Sequence, residues 1–173
     1  MPILLMACLG MNVFASDERA ATESQALALL RGYEWQLDVE ALRALPADTY
    51  KILLDIAGGD GYPVYIKSRA LAVLEHFPND RVWAFLESEL ATAAPIERRW
   101  IVDTVCETFS ADRPTQVEAV IGDYLQQQDA HLRIIVARCL QAIGSVSAMD
   151  KIQRYQKVTA ETAELWERDA LHR

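Results

Sequence analysis

The chain has 173 residues, 51% hydrophobic and 24% charged, a balance that suits one globular domain and excludes disorder. Its formal charge of −8, from 25 Asp plus Glu against 17 Lys plus Arg, excludes a surface built for nucleic-acid phosphates and discourages adhesion to anionic membranes. Seven glycines and six prolines supply few of the tight turns an all-β fold needs, so the expected class is all-α.

Residues Ile3 to Ala15 are uncharged and mostly apolar. At about 1.5 Å of rise per helical residue, this run falls short of a hydrocarbon core of about 30 Å. It reads as the hydrophobic region of a signal peptide over residues 1–15, with Val13-Phe14-Ala15 at the cleavage site and a mature domain over 16–173, exported to a bacterial periplasm. No Lys or Arg precedes the apolar run, which departs from the usual signal pattern. Two other readings stand beside it. Leu5-Met6-Ala7-Cys8 resembles a lipobox and would anchor the protein through a lipid on Cys8. Alternatively, the run is the apolar first helix of a cytoplasmic protein.

Thr22 with Gln25 has the spacing of a capping box and predicts a helix from there to Leu30. Trp35, in the weakly patterned stretch Gly32-Tyr33-Glu34-Trp35, is expected to be an exposed aromatic anchor. Residues Leu37–Leu45 and Asp48–Ile56 predict a short and a longer helix. Between that pair and the next lies Gly58-Gly59-Asp60-Gly61, whose spacing matches neither a phosphate loop nor a calcium loop and reads as a chain reversal.

From residue 63 the apolar residues recur at helical spacing and predict helices over Pro63–His76, Asp80–Leu90, Pro95–Phe109, Pro114–Gln127, Asp129–Ile143 and Ser147–Lys157. Pro63, Pro95 and Pro114 suit first turns, Asp112, Asp129 and Ser147 suit helix starts, and Gly144 suits a helix end. Alternate helices share a pattern. Val82, Val117 and Ile152 are 35 residues apart, as are Phe85, Val120 and Tyr155. Lys67, Arg98 and Arg133 are each followed by apolar residues three, four and seven positions on: Ala70, Leu71 and Leu74, then Ile101, Val102 and Val105, then Val136, Ala137 and Leu140.

A basic residue with apolar followers on a first helix, a short turn and a second amphipathic helix resembles the HEAT repeat. The best copy is His131-Leu132-Arg133-Ile134-Ile135-Val136-Ala137-Arg138-Cys139-Leu140-Gln141-Ala142-Ile143-Gly144, and the middle copy departs with Asp103 and Thr104. The resemblance covers residues 63–157. It implies an α-solenoid of stacked antiparallel helix pairs, with about three clear repeats and a weaker N-terminal pair. Thr159–Leu171 would be the C-terminal capping helix, anchored by Ala163, Leu165, Trp166 and Leu171 and carrying Glu161, Glu164, Glu167 and Asp169. The resemblance further implies that Lys67, Arg98 and Arg133 pair with acidic groups of adjacent repeats, in preference to forming a ladder for an anionic ligand.

No chemical motif stands out. His76, His131 and His172 lack the i, i+4 spacing of zinc ligands, no CxxC pattern occurs, and no GxSxG elbow is present. The expectation is therefore a non-catalytic protein without cofactor or metal. Cleavage after Ala15 would leave Cys106 and Cys139 on neighbouring helices, at repeat positions differing by two residues. That offset is taken to turn them apart and predicts buried free thiols. Trp83, Trp100 and Trp166 are expected in or near the core. The second helices expose Arg81, Glu89, Gln116, Asp123, Lys151 and Arg154, a mixed-charge face suited to a protein or peptide partner. The alternative implied by the same resemblance is a bilin-lyase-like enzyme or its non-catalytic partner subunit. DNA glycosylases share such architecture but need a basic groove.

Overall fold

A computed structural model describes the backbone of residues 7–159, 167 and 170, and side chains from Asp17 to Lys157 together with those of Glu167 and Ala170. The signal and lipobox readings, Cys8 included, and the 159–171 capping helix apart from Glu167 and Ala170, lie outside the described side chains.

Among the described residues the chain is all-α, with helices packed in neighbouring pairs. They are α1 (Ala7–Leu30), α2 (Val39–Arg43), α3 (Tyr50–Gly58), α4 (Val64–Val73), α5 (Asp80–Thr92), α6 (Pro95–Phe109), α7 (Pro114–Ile121), α8 (Ala130–Ile143) and α9 (Val146–Thr159), with 3-10 turns at Leu74–His76 and Gly122–Gln126. No helix among the described residues is long and apolar enough to cross a membrane. The chain divides into two compact units, one up to Val73 and one from Leu74. The division falls inside the predicted Pro63–His76 helix, where α4 tightens into its 3-10 turn.

In the first unit α1 packs on α2, α3 and α4, and α3 packs on α4. Ala26, Leu30, Leu42, Leu53, Ile56, Ile66 and Ala70 are buried in it. Full burial of a Leu or Ile side chain stabilises by about 1.5–3 kcal/mol, so these residues dominate its cohesion. The capping box at Thr22 is not found. Helix α1 runs through that position, and the Thr22 hydroxyl donates to the Glu18 carbonyl at 3.0 Å, one turn back. A hydroxyl inside a helix can satisfy itself that way as readily as it can cap. The glycine cluster is a turn between α3 and α4. A Cβ on Gly59 would lie 2.6 Å from the Asp55 carbonyl oxygen, so the chain passes too close there for a side chain.

Two of the three sequence copies, those beginning with Arg98 and Arg133, lie in the second unit. Val82, Val117 and Ile152 are all buried, as are the nine apolar followers of the three basic positions, Ala70 and Leu71 belonging to the first unit. Phe85 and Val120 are half-buried, whereas Tyr155 is buried. Asp129 caps α8 by accepting from the N–H groups of His131 and Leu132, and Gly144 ends it with φ +64°. Asn79 caps α5 in the same manner. Two expected caps are displaced. Arg113, not Asp112, precedes α7 and makes no side-chain cap; Ser145, not Ser147, accepts from the Ala148 N–H at 2.9 Å.

Cys106 and Cys139 form a disulfide, which corrects the expectation of free thiols. Their Cα atoms are 5.7 Å apart, within the usual range, and both residues are buried. The error lay in the sense of the rotation. Helices α6 and α8 lie side by side, and equal repeat positions on two such helices point the same way, not towards each other. An offset of two residues rotates a side chain by about 200°, close to the half-turn that makes neighbouring helices face.

A polar groove beside a carboxylate-bound arginine

The sequence tightens after α7, and that local change opens a concave surface. Helix α7 stops at Ile121 and the chain continues as the 3-10 turn Gly122–Gln126. Gly122 leaves room for the Lys151 stem from α9; a Cβ there would meet Lys151 Nζ at 2.8 Å. The turn, the start of α8 and the middle of α9 then enclose a groove of about 710 Å³. Gln126, Gln127 and Gln128 line one side and are exposed. Lys151, Arg154 and Tyr155 line the other, with Arg133 between them and Asp123 at the turn.

Three of the six face residues predicted from sequence therefore meet here: Asp123, Lys151 and Arg154. Arg81 and Gln116 are exposed on the first turns of α5 and α7 and Glu89 is half-buried on α5, and none of the three lines the groove. Arg154 is an exposed cation, paired with Asp150 one turn earlier at 2.7 Å. Lys151 differs from the free surface charge expected of it. Its Nζ lies 3.1 Å from the carboxylate of Glu118, a residue only 7% exposed, so it is the counter-ion of a buried acid. Hydrogen bonds from Ser147 and Ser145 hold that carboxyl below the usual range, against the effect of burial, with Lys151 adding to them.

Arg133 lines the groove from the first turn of α8. Its Nε and Nη2 donate to the two oxygens of Glu167 at 2.8 and 2.7 Å, and its Nη1 donates to the Gln127 carbonyl at 2.7 Å. The Tyr155 hydroxyl donates to the same carboxylate and accepts from Arg133 Nε at 3.3 Å. Glu167 is 1% exposed. Burial pushes its carboxyl up, but the hydrogen bonds from Arg133 and Tyr155 outweigh that and leave it below the usual range. Burial, and then the bond to Glu167, push the Tyr155 phenol up to about 12. The guanidinium is held more firmly charged, mainly by its bond to Glu167.

Arg133 thus has an acidic partner, as expected, but the partner stands 34 positions on, beyond the repeat stretch at 63–157 and not in an adjacent copy of it. The equivalent Arg98 is held otherwise: its guanidinium lies over the Tyr124 ring at 5.6 Å and donates to the Ala93 carbonyl at 2.8 Å. The neighbouring Arg99 takes the acidic partner, Asp129, at 2.6 Å. Sequence reasoning placed Arg133 and Tyr155 in structural roles and passed over Gln126, Gln127 and Gln128, although three consecutive amides just before a helix cap mark a polar edge.

The first unit carries a different surface. Trp35 is not the exposed anchor expected. It is half-buried, its indole N–H donates to the Leu29 carbonyl at 2.8 Å, and Arg69 lies over its ring at 5.2 Å. Arg69 also lies over Tyr65 and donates to the carbonyls of Leu30 and Gly32. The fully exposed aromatic residue in this loop is Tyr33. Among the described residues no group of three or more His, Cys, Asp or Glu is placed to hold a metal ion. The chain matches no known protein family, no curated protein and no solved structure.

Proposed function

We propose that the chain is a non-catalytic polypeptide-binding module, a short HEAT-like stack whose recognition surface is the groove between Gly122–Gln126, α8 and α9. The observation that carries this reading is the gathering of Asp123, Arg154 and three exposed glutamines around a concavity of about 710 Å³. That volume falls in the range of binding clefts, about 300–1,000 Å³. Amide side chains both donate and accept, so they match the alternating N–H and C=O groups of an extended peptide. The Cys106–Cys139 disulfide supports the exported reading, because such bonds persist in oxidising compartments.

The test is affinity capture from the producing organism with the natural chain and with two charge reversals. Arg154→Glu alters the groove without releasing a buried acid, whereas Arg81→Glu alters α5. Capture should fall at least tenfold for Arg154→Glu and stay unchanged for Arg81→Glu, with circular dichroism as the folding control. The reverse result moves the recognition surface to α5 and ends the groove reading.

A further inference from the structure

Granting that the groove is the binding surface, we infer that it selects an acidic segment, and that Arg133 and Arg154 receive its carboxylates. Among the described residues, three cationic side chains line the groove, Arg133, Lys151 and Arg154, with one carboxylate, Asp123. Each cation has a counter-ion, Glu167, Glu118 and Asp150, but none of those carboxylates is among the described lining residues, so the charged groups turned to the groove are mostly donors for an acidic partner.

The donor count at Arg133 strengthens the case. A guanidinium has five N–H groups. Nε serves Glu167 and Tyr155, one N–H of Nη2 serves Glu167, and one N–H of Nη1 serves the Gln127 carbonyl. Among the described residues, one N–H on each terminal nitrogen is left over on a side chain that lines the groove and is only 14% exposed. Such donors favour an acceptor brought by a ligand, because a mostly buried N–H without a partner is costly. Arg133 is also pre-organised: the Glu167 carboxylate, the Tyr155 hydroxyl and the Gln127 carbonyl fix its plane before any ligand arrives, which lowers the ordering cost of binding. Arg154, on the outer side, is tied to Asp150 of its own helix in an exposed pair and is free to exchange that partner for another carboxylate. Lys151 is committed to Glu118 and is not counted among the receivers.

The experiment measures fluorescence anisotropy of three labelled octapeptides, Gly-Glu, Gly-Gln and Gly-Lys repeats with blocked ends, on the full chain. The Gly-Glu peptide should bind at least tenfold tighter than the Gly-Gln peptide, with the Gly-Lys peptide weakest. Arg154→Gln and Arg133→Lys should each reduce Gly-Glu affinity about tenfold, and added salt should weaken it. Arg133→Lys keeps a charge beside Glu167 but replaces the planar, fixed guanidinium and its two spare N–H groups by a single ammonium; if it does not fold, Arg154→Gln carries the comparison. Equal affinity for the Gly-Glu and Gly-Gln peptides, no Gly-Glu binding at millimolar concentration, or indifference to both substitutions in folded protein would overturn the inference. Should Arg154→Glu still abolish partner capture in that event, the groove stands and only its preference for acid falls; should capture be untouched as well, both fall together.

Discussion

The two units use arginine in opposite ways. In the first, Arg69 is held by the carbonyls of Leu30 and Gly32 and by the faces of Trp35 and Tyr65, partners that fix a loop and leave the positive charge without a carboxylate among those contacts. In the second, Arg133 is held chiefly by the carboxylate of Glu167, itself buried, with Tyr155 bonded to both. The shielded ion pairs follow the same division, although Arg154–Asp150 of the second unit is exposed on both sides. The ion pair Arg19–Asp55 of the first unit is more than half exposed on both sides, whereas Arg99–Asp129 and Lys151–Glu118 of the second are mostly buried. Both units have apolar cores; the second adds a crosslink and shielded charges. Removing a shielded charge should therefore be far more damaging than removing an exposed one.

The largest expected effect follows from Arg133→Ala. Glu167 would keep its burial and lose its counter-ion, at a cost of about 3–5 kcal/mol to the second unit. Hydrogen exchange, read segment by segment, should show α8 and α9 opening more readily while α3 and α4 keep their protection. Loss of the disulfide comes next. Replacing Cys106 and Cys139 by Ser frees a loop of 33 residues and should cost about 2–4 kcal/mol, again read out in the second unit. An equal loss of protection in both units would erase the distinction between them.

Acid should act through the same groups. The carboxyls of Glu118, Glu167 and Asp129 are held below their ordinary range. For Asp129, burial works upwards and is outweighed by Arg99 and by the N–H groups at the start of α8. A carboxyl whose folded value is depressed contributes stability that is present above the unfolded value, about 4, and is lost as pH falls through the lower folded one. Denaturation midpoints for the second unit should thus hold from neutral pH to about 5 and decline below about 4. A midpoint that rises on acidification would contradict this sign. The smallest effect is expected from Arg19→Ala, within about 0.5 kcal/mol, because its pair with Asp55 is exposed.

Much of the helical order was readable because periodic burial is a local property. Val82, Val117 and Ile152 could be placed in the core from their spacing alone, and Pro95, Asp129 and Gly144 mark helix ends by chemistry that needs no tertiary knowledge. What was misread depended on neighbours. Ser145 and Ser147 both have the chemistry to cap α9 and both bond Glu118, but the helix begins at Val146, which leaves Ser145 in the capping place. Trp35 looked exposed because its segment has no period, yet Arg69, 34 positions on, covers it. The groove was half legible: Asp123, Lys151 and Arg154 stand out as polar positions between apolar ones, but Arg133 and Tyr155 carry repeat signals that read as packing. The disulfide required knowing that two adjacent helices face each other through opposite sides.

The proposed groove at 122–128 and 151–155 has one rival surface in the first unit, where Tyr33 and Tyr65 are exposed. Hydrogen exchange of the chain alone and with its captured partner decides between them in one measurement. Slowed exchange should centre on the segment from Gly122 to Gln128 and on α9 around Arg154. Protection confined to Arg31–Trp35 and Val64–Arg69, with the groove unchanged, would contradict the account.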